Sequence, residues 1–156
     1  MTAHLPAPGT CETHVSNDVA RFRIVNDMRS LEAGGAALRA YLASRGIDER
    51  ATFWTDLAFE ELATNVMHHA FQGRAASAHP IDVEIAVAPG EVVLVIEDDG
   101  PAFDPTALPA QPAPKSLEAA RIGGLGIPFV RAAARQLEYR RDDGRNRVTV
   151  HLARSL

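Results

Sequence analysis

Glu60-Glu61-Leu62-Ala63-Thr64-Asn65-Val66-Met67-His68-His69-Ala70-Phe71 is the stretch from which the fold can be worked outward. It continues an apolar pattern, Phe53, Leu57, Leu62 and Val66, at helical spacing. That helix is expected to start after Asp48, a residue suited to cap it, and to run to about Phe71. Glu61 and Asn65 are four residues apart, so on a helix they stand one above the other on the same face. A carboxylate and a carboxamide placed this way can serve a substrate hydroxyl and a hydrated Mg2+ in one site. The amide oxygen is a hard neutral ligand, and Mg2+ keeps waters while bridging phosphates. Taken alone, the same residues also fit a solvated helix face on which Asn65 is incidental. Neighbouring His68 and His69 do not make a zinc site, because adjacent helical residues point about 100° apart.

Upstream, Ala20 to Val25 alternates Phe22 and Ile24 with arginines, the pattern of a half-buried strand. Leu31, Leu38, Tyr41, Leu42 and Arg45 follow at helical spacing, with Gly46 as a stop. Residues 1–18 are polar and contain proline, and are expected to form a loose arm; residues 19–156 are expected to form a single domain. Downstream, Ile81, Val83, Ile85 and Val87 alternate with Asp82, Glu84 and Ala86. Pro89-Gly90 marks a turn, and Glu91 to Glu97 is a more continuously apolar strand, so the pair predicts an antiparallel hairpin. Pro101 to Arg121 carries prolines at 101, 105, 109, 112 and 114, a long segment of the kind that is functional or mobile inside a compact domain. A helix is predicted from about Gly126 to Gln136, then strands 137–141 and 147–152 joined by Asp142-Asp143-Gly144. The sum is an α/β (α+β) two-layer sandwich, with helices on one face of a mixed, mostly antiparallel sheet. No glycine-rich turn opens a helix after a first strand, which excludes a Rossmann pattern.

The 156 residues carry a formal net charge of −4 and are 46% apolar, which fits one soluble globular domain. The acidic balance argues against nucleic acid as a direct partner. The longest apolar run, Val92 to Ile96, is far short of a membrane span. Cys11 is the only cysteine, so neither an intrachain disulfide nor a thiolate cluster can form. The first residues do not read as a secretory signal, and cytoplasmic residence is the expectation. Phe53 and Trp54 are expected in the core or at a subunit interface, and Ser116 has no His/Asp partners that suggest a nucleophile.

Two further motifs complete the set. Ile96-Glu97-Asp98-Asp99-Gly100-Pro101-Ala102-Phe103-Asp104-Pro105 follows a buried-looking strand. An acidic residue there can accept a hydrogen bond from a purine's exocyclic amine, and Gly100 lets the backbone turn away. An ordinary Asp-Gly turn fits equally. Arg121-Ile122-Gly123-Gly124-Leu125-Gly126-Ile127 opens a helix, where exposed first-turn amides favour phosphate oxygens. A glycine-rich hinge without ligand fits it too.

In this order and spacing the three motifs resemble the GHKL ATPase/kinase superfamily, which shares the Bergerat nucleotide-binding fold. The helix motif is similar to its N box, Asp98-x-Gly100-x-Ala102 to its first glycine box and Gly124-x-Gly126 to its second, with residues of about 101–122 as a mobile ATP lid. Glu-Glu-Leu-x-Thr-Asn…His-Ala-Phe at 60–71, Asp-Asp-Gly-Pro-x-Phe-Asp-Pro at 98–105, Gly-Gly-Leu-Gly-Ile at 123–127 and Asp-Gly-Arg-Asn-Arg at 143–147 point to the anti-sigma-factor serine kinases of the RsbW/SpoIIAB type. The resemblance covers roughly residues 20–153.

The resemblance implies ATP and Mg2+ as cofactors, with Glu61 as general base on a serine hydroxyl, Asn65 as the Mg2+ ligand and Asp98 as the reader of adenine. Gly100, Gly124, Leu125 and Gly126 would shape the pocket and its phosphate contacts, and Thr149 would supply a hydroxyl that supports Asp98. His69 matches the family's usual histidine, which is as well explained by packing. Ala102 replaces the second glycine of the first box, and His68 stands where many relatives carry lysine. Either Lys115 or Arg121 of the lid would reach a γ-phosphate on closure, and each is equally read as a solvated charge. Implied partners are a STAS-domain anti-sigma-factor antagonist as phosphorylation substrate, a sigma factor to be sequestered, and a second copy in a homodimer. The alternatives are an ATP-responsive module that sequesters a regulator without transfer, an ATP-gated GHKL ATPase, and a sensor histidine kinase fragment. The lack of extra domains or of a phosphoacceptor helix in the sequence speaks against the last two.

Overall fold

The computed structural model describes residues 11–16, 18–70, 79–108 and 126–155. In chain order these build β1 (Glu12–Ser16), β2 (Val19–Val25), α1 (Met28–Ser44), α2 (Glu49–Ala70), β3 (Pro80–Ala88), β4 (Glu91–Asp98), a single 3-10 turn (Pro105–Ala107), α3 (Gly126–Ala133), β5 (Gln136–Asp142) and β6 (Arg145–Ala153). The strands form one six-stranded sheet in the order β1-β2-β3-β4-β6-β5.

Every strand pair is antiparallel, so the expected mixed sheet is corrected. The connections explain why. Between β2 and β3 the chain goes out along α1 and back along α2, and so re-enters the sheet at the end it left. The connection from β4 to β5, which includes α3, brings those strands into the parallel sense, but β6 lies between them and is antiparallel to both. Of the expected loose arm, residues 1–10 lie outside the described residues, and its later part is a strand. Residues 12–16 pair with β2 from Glu12↔Arg23 to Ser16↔Val19.

Strand alternation sets the two faces. Phe22, Ile24, Ile81, Val83, Ile85, Leu94, Ile96, Val148 and Val150 are buried toward the helices. They meet Leu38 and Leu42 of α1 and Phe59 and Leu62 of α2 in one core. Phe22 and Phe59 pack edge to face across this boundary, 5.8 Å between centroids. The helix boundaries follow local chemistry. The Asp27 side chain accepts from the Arg29 amide, and Asp48 accepts from the Ala51 amide at 2.7 Å. Phe53 is not in the core: it is 57% exposed and packs on Trp54, which does rest against the core. The β5–β6 hairpin turns on Asp143 and Gly144, with φ of 50° and 78°, the left-handed conformation that Asp and Gly tolerate.

The sheet face away from the helices is polar. Arg23 donates to Asp82 at 2.6 Å, Arg145 to Asp82 at 2.7 Å, and Arg147 to Glu97 at 2.6 Å. A hollow of about 560 Å³ lies on this face against β1. Its main charges already pair with one another, so its size does not mark it as the chemical centre.

Candidate active site

The cleft that gathers the sequence motifs lies on the helix side, at the C-terminal end of β4. Leu62, Asn65, Val66 and His69 reach it from α2, Ile96 and Asp98 from β4, Phe103 and Pro105 from the following loop, and Asn146 and Val148 from β6. Glu61, Asn65 and His69 recur at four-residue intervals, so α2 presents them along one side.

Asp98 is buried, 3% exposed. Its Oδ1 accepts from the Gly100 amide at 2.8 Å and from Asn146 Nδ2 at 2.9 Å. Among the described residues Oδ2 has no hydrogen-bond partner, and it belongs to a side chain that lines the cleft. Burial pushes the Asp98 carboxyl above the ordinary aspartate value; the donors Asn146 and Gly100 and the charge of Arg141 oppose the shift, and Asp99 adds to it. Gly100 is buried beside it, whereas Ala102 is exposed and does not line the cleft.

The support for Asp98 comes from Asn146, not from Thr149. Asp98 pairs with Asn146 across the β4–β6 ladder, and Thr149 pairs with Val95. Three residues along a strand is an odd offset, so Thr149 points to the opposite, polar face of the sheet. Asn146 sits within the Asp-Gly-Arg-Asn-Arg run, but nothing in that run by itself says which residue meets Asp98. Only the strand register does.

Glu61 lies against the first residue of α3. A Cβ built on Gly126 would overlap the Glu61 carboxylate, so glycine is what lets α3 approach α2 here. Burial raises the Glu61 carboxyl above the ordinary glutamate value, and the charge of Glu60 raises it further. The result is a carboxylate more basic than usual beside a helix N-terminus. Asn65 lines the cleft one turn further along. Among the described residues no group of three or more His, Cys, Asp or Glu could hold a metal alone. A hard amide oxygen that shares a Mg2+ with substrate phosphates and waters fits what is present.

His69 lines the same cleft. Its ring stacks on Phe103, 4.9 Å between centroids and 7° from parallel. The cleft beneath is about 20 Å³, room for roughly one water. A purine does not fit the cleft at this volume. His68 is exposed. Gly124 and Leu125 lie outside the described residues, as do Gly123, Lys115, Arg121 and Ser116.

Comparison with known proteins places the chain in a family. The histidine kinase-like ATPase domain family matches residues 24–152. The serine/threonine-protein kinase BtrW of Bordetella bronchiseptica is 34% identical over 103 residues, 65% of this chain and 70% of the relative. A chain of the SiaB–SiaC complex from Pseudomonas aeruginosa shares the fold with a TM-score of 0.58 at 22% identity, over 85% of this chain and 88% of that one. The matched span begins in β2, ends in β6 and takes in Glu61, Asn65, Asp98 and Asn146 alike. The chain therefore belongs to the histidine kinase-like ATPase domain family, with the serine/threonine-protein kinase BtrW among its relatives.

Proposed function

We propose that the chain transfers the γ-phosphoryl group of ATP to a serine of a STAS-domain anti-sigma-factor antagonist, and sequesters a sigma factor or similar regulator in a bacterial partner-switching circuit. It works in the cytoplasm as a homodimer. No described helix is long and apolar enough to cross a membrane. The observation that carries the reading is the convergence of Asn65 and Asp98 on one cleft, with Glu61 at the edge of α3.

In this reading Asp98 Oδ2 accepts a hydrogen bond from the adenine 6-amine. Asn65 would hold Mg2+, which would neutralise phosphate charge, and the first-turn amides of α3, beginning at Gly126, would meet phosphate oxygens; Gly124 and Leu125, outside the described residues, are proposed for the same end of the site. Glu61 orients the serine hydroxyl and takes its proton. The serine Oγ–phosphorus bond forms as the bond from the γ-phosphorus to the β,γ-bridging oxygen breaks, and ADP leaves. Such transfer asks mainly for positioning and charge neutralisation, which a site this small can supply. The names of relatives support the class of activity: BtrW is a serine/threonine-protein kinase, and the SiaB–SiaC structure is a complex of two proteins.

The test is transfer of label from ATP to a candidate antagonist, with acid-stable phosphoserine as product. Wild-type transfer that continues unchanged in Glu61→Ala removes the proposed base. A second reading is an ATP-responsive module that sequesters a regulator without transfer; it is favoured by exposed His68, which supplies no fixed positive charge where the family resemblance implies a lysine. Nucleotide binding with no transfer to any captured partner would select it.

A further inference from the structure

We propose that Asn146, locked by Tyr139 and Arg141, is the positioning residue that aims the open oxygen of Asp98 into the cleft and so sets its preference for a 6-amino over a 6-oxo purine. The proposal rests on the nucleotide reading of the cleft.

Asn146 is 3% exposed and uses all of its hydrogen-bonding capacity inside the protein. Its Nδ2 donates to Asp98 Oδ1 at 2.9 Å and to the Pro101 carbonyl at 2.9 Å, with the Gly100 carbonyl at 3.4 Å. Its Oδ1 accepts from the Tyr139 hydroxyl at 2.8 Å and from Arg141 Nη1 at 2.7 Å. The reversed amide would set its oxygen against a carboxylate and two carbonyls, and its NH2 against a guanidinium. One orientation is therefore imposed. Arg141 Nη1 also donates to the Gly100 carbonyl at 3.0 Å, which ties β5 to the turn after β4.

With its donors and acceptors spent, Asn146 has nothing left to offer a base. Its influence on a ligand passes through Asp98. Together with the Gly100 amide it occupies Oδ1, which leaves Oδ2 as the acceptor at the cleft. An ionised carboxylate there attracts the 6-amine of adenine and repels the 6-oxo group of guanine. A protonated one could donate to that oxo group, and discrimination would collapse. Burial already lifts the Asp98 carboxyl, and the Asn146 donor is the first of the contacts that hold it down. The other charged or titratable groups around it are Asp99 just past the end of β4, Arg141 from β5 and His69 from α2. The plainer role is a staple that only holds the β5–β6 hairpin to the turn. A staple would alter melting temperature and leave selectivity alone.

The experiment is calorimetric titration of the full chain with ADP and with GDP, each with Mg2+, from pH 8 down to pH 5.5, on wild type, Asn146→Leu and Tyr139→Phe. Loss of a hydrogen bond to a charged group should weaken ADP binding by Asn146→Leu about 10- to 100-fold at pH 7, with little change for GDP. The pH below which ADP binding fails should move up. Tyr139→Phe, which keeps the ring and removes one contact to Asn146, should move the ADP/GDP ratio in the same direction by a smaller factor. If Asn146→Leu does not fold, Tyr139→Phe and Asn146→Thr decide the matter alone. Folded variants that keep the wild-type ratio and pH profile overturn the proposal. Wild-type protein that binds neither nucleotide overturns the reading beneath it instead.

Discussion

Glu61 illustrates how one carboxylate acquires a task. Burial first, and Glu60 second, raise its carboxyl above the usual range, and Gly126 leaves it just enough space at the start of α3. A base works ionised, so transfer to the antagonist should rise with pH as it passes through that elevated value and then level off. Glu61→Gln should lower the rate by about 10²- to 10⁴-fold and abolish that limb of the profile. An acidic limb that persists in Glu61→Gln would assign it to another group. Phe103 offers a second check at this scale. Its stack on His69 closes the cleft, and an aromatic pair is worth about 0.5–1.5 kcal/mol. Phe103→Ala should therefore speed association of a fluorescent ADP analogue by roughly 2- to 10-fold in stopped flow. An unchanged rate would mean that the stack is no barrier.

Among the elements, the α2–α3 contact is the one most exposed to a single atom. Gly126→Ala forces Glu61 aside, and overpacking of this kind costs about 1–3 kcal/mol. In a Glu61→Ala background the clash is gone, so the same change should be nearly neutral in melting temperature; additive costs would locate the strain elsewhere. On the polar face, burial alone would raise the Asp82 carboxyl, but hydrogen bonds and charge from Arg23 and Arg145 outweigh it and hold it below the ordinary value. Its contribution is thus present above the unfolded aspartate pKa and lost as pH falls through the lowered folded one. Asp82→Asn should cost about 1 kcal/mol or less in denaturant melts at pH 7 and have no effect in acid. The elements were readable where local signals were strong. The α2 stripe, the Pro89-Gly90 turn and the Asp143-Gly144 turn gave α2 and both hairpins to within a few residues. β1 was not, because residues 12–16 lack an apolar alternation and owe their strand form to the free edge of β2. Asn146 was missed for a related reason: a long-range register chose its face, and Thr149 lay an odd number of residues away.

On the scale of the whole molecule, the cleft lies between the two layers, with α2 above and β4 and β6 below, so a ligand there joins helices to sheet. Anything that binds the native state alone stabilises it by mass action, about 2.7 kcal/mol at a hundredfold excess over Kd. For a domain of this length that is roughly 5–10 °C in melting temperature. ADP with Mg2+ should give a rise of this order in thermal melts, and ADP with a chelator a smaller one. The dependence on the metal is the sharper observable, because it belongs to one residue. If Asn65 is the only protein ligand of the ion, Asn65→Ala should keep the smaller rise and lose the increment that Mg2+ adds. Asn65→Asp, which restores a hard oxygen with added charge, should regain the increment. Equal Mg2+ increments in wild type and Asn65→Ala would mean that the ion rides on the phosphates alone, and would leave Asn65 as no more than a polar part of the wall.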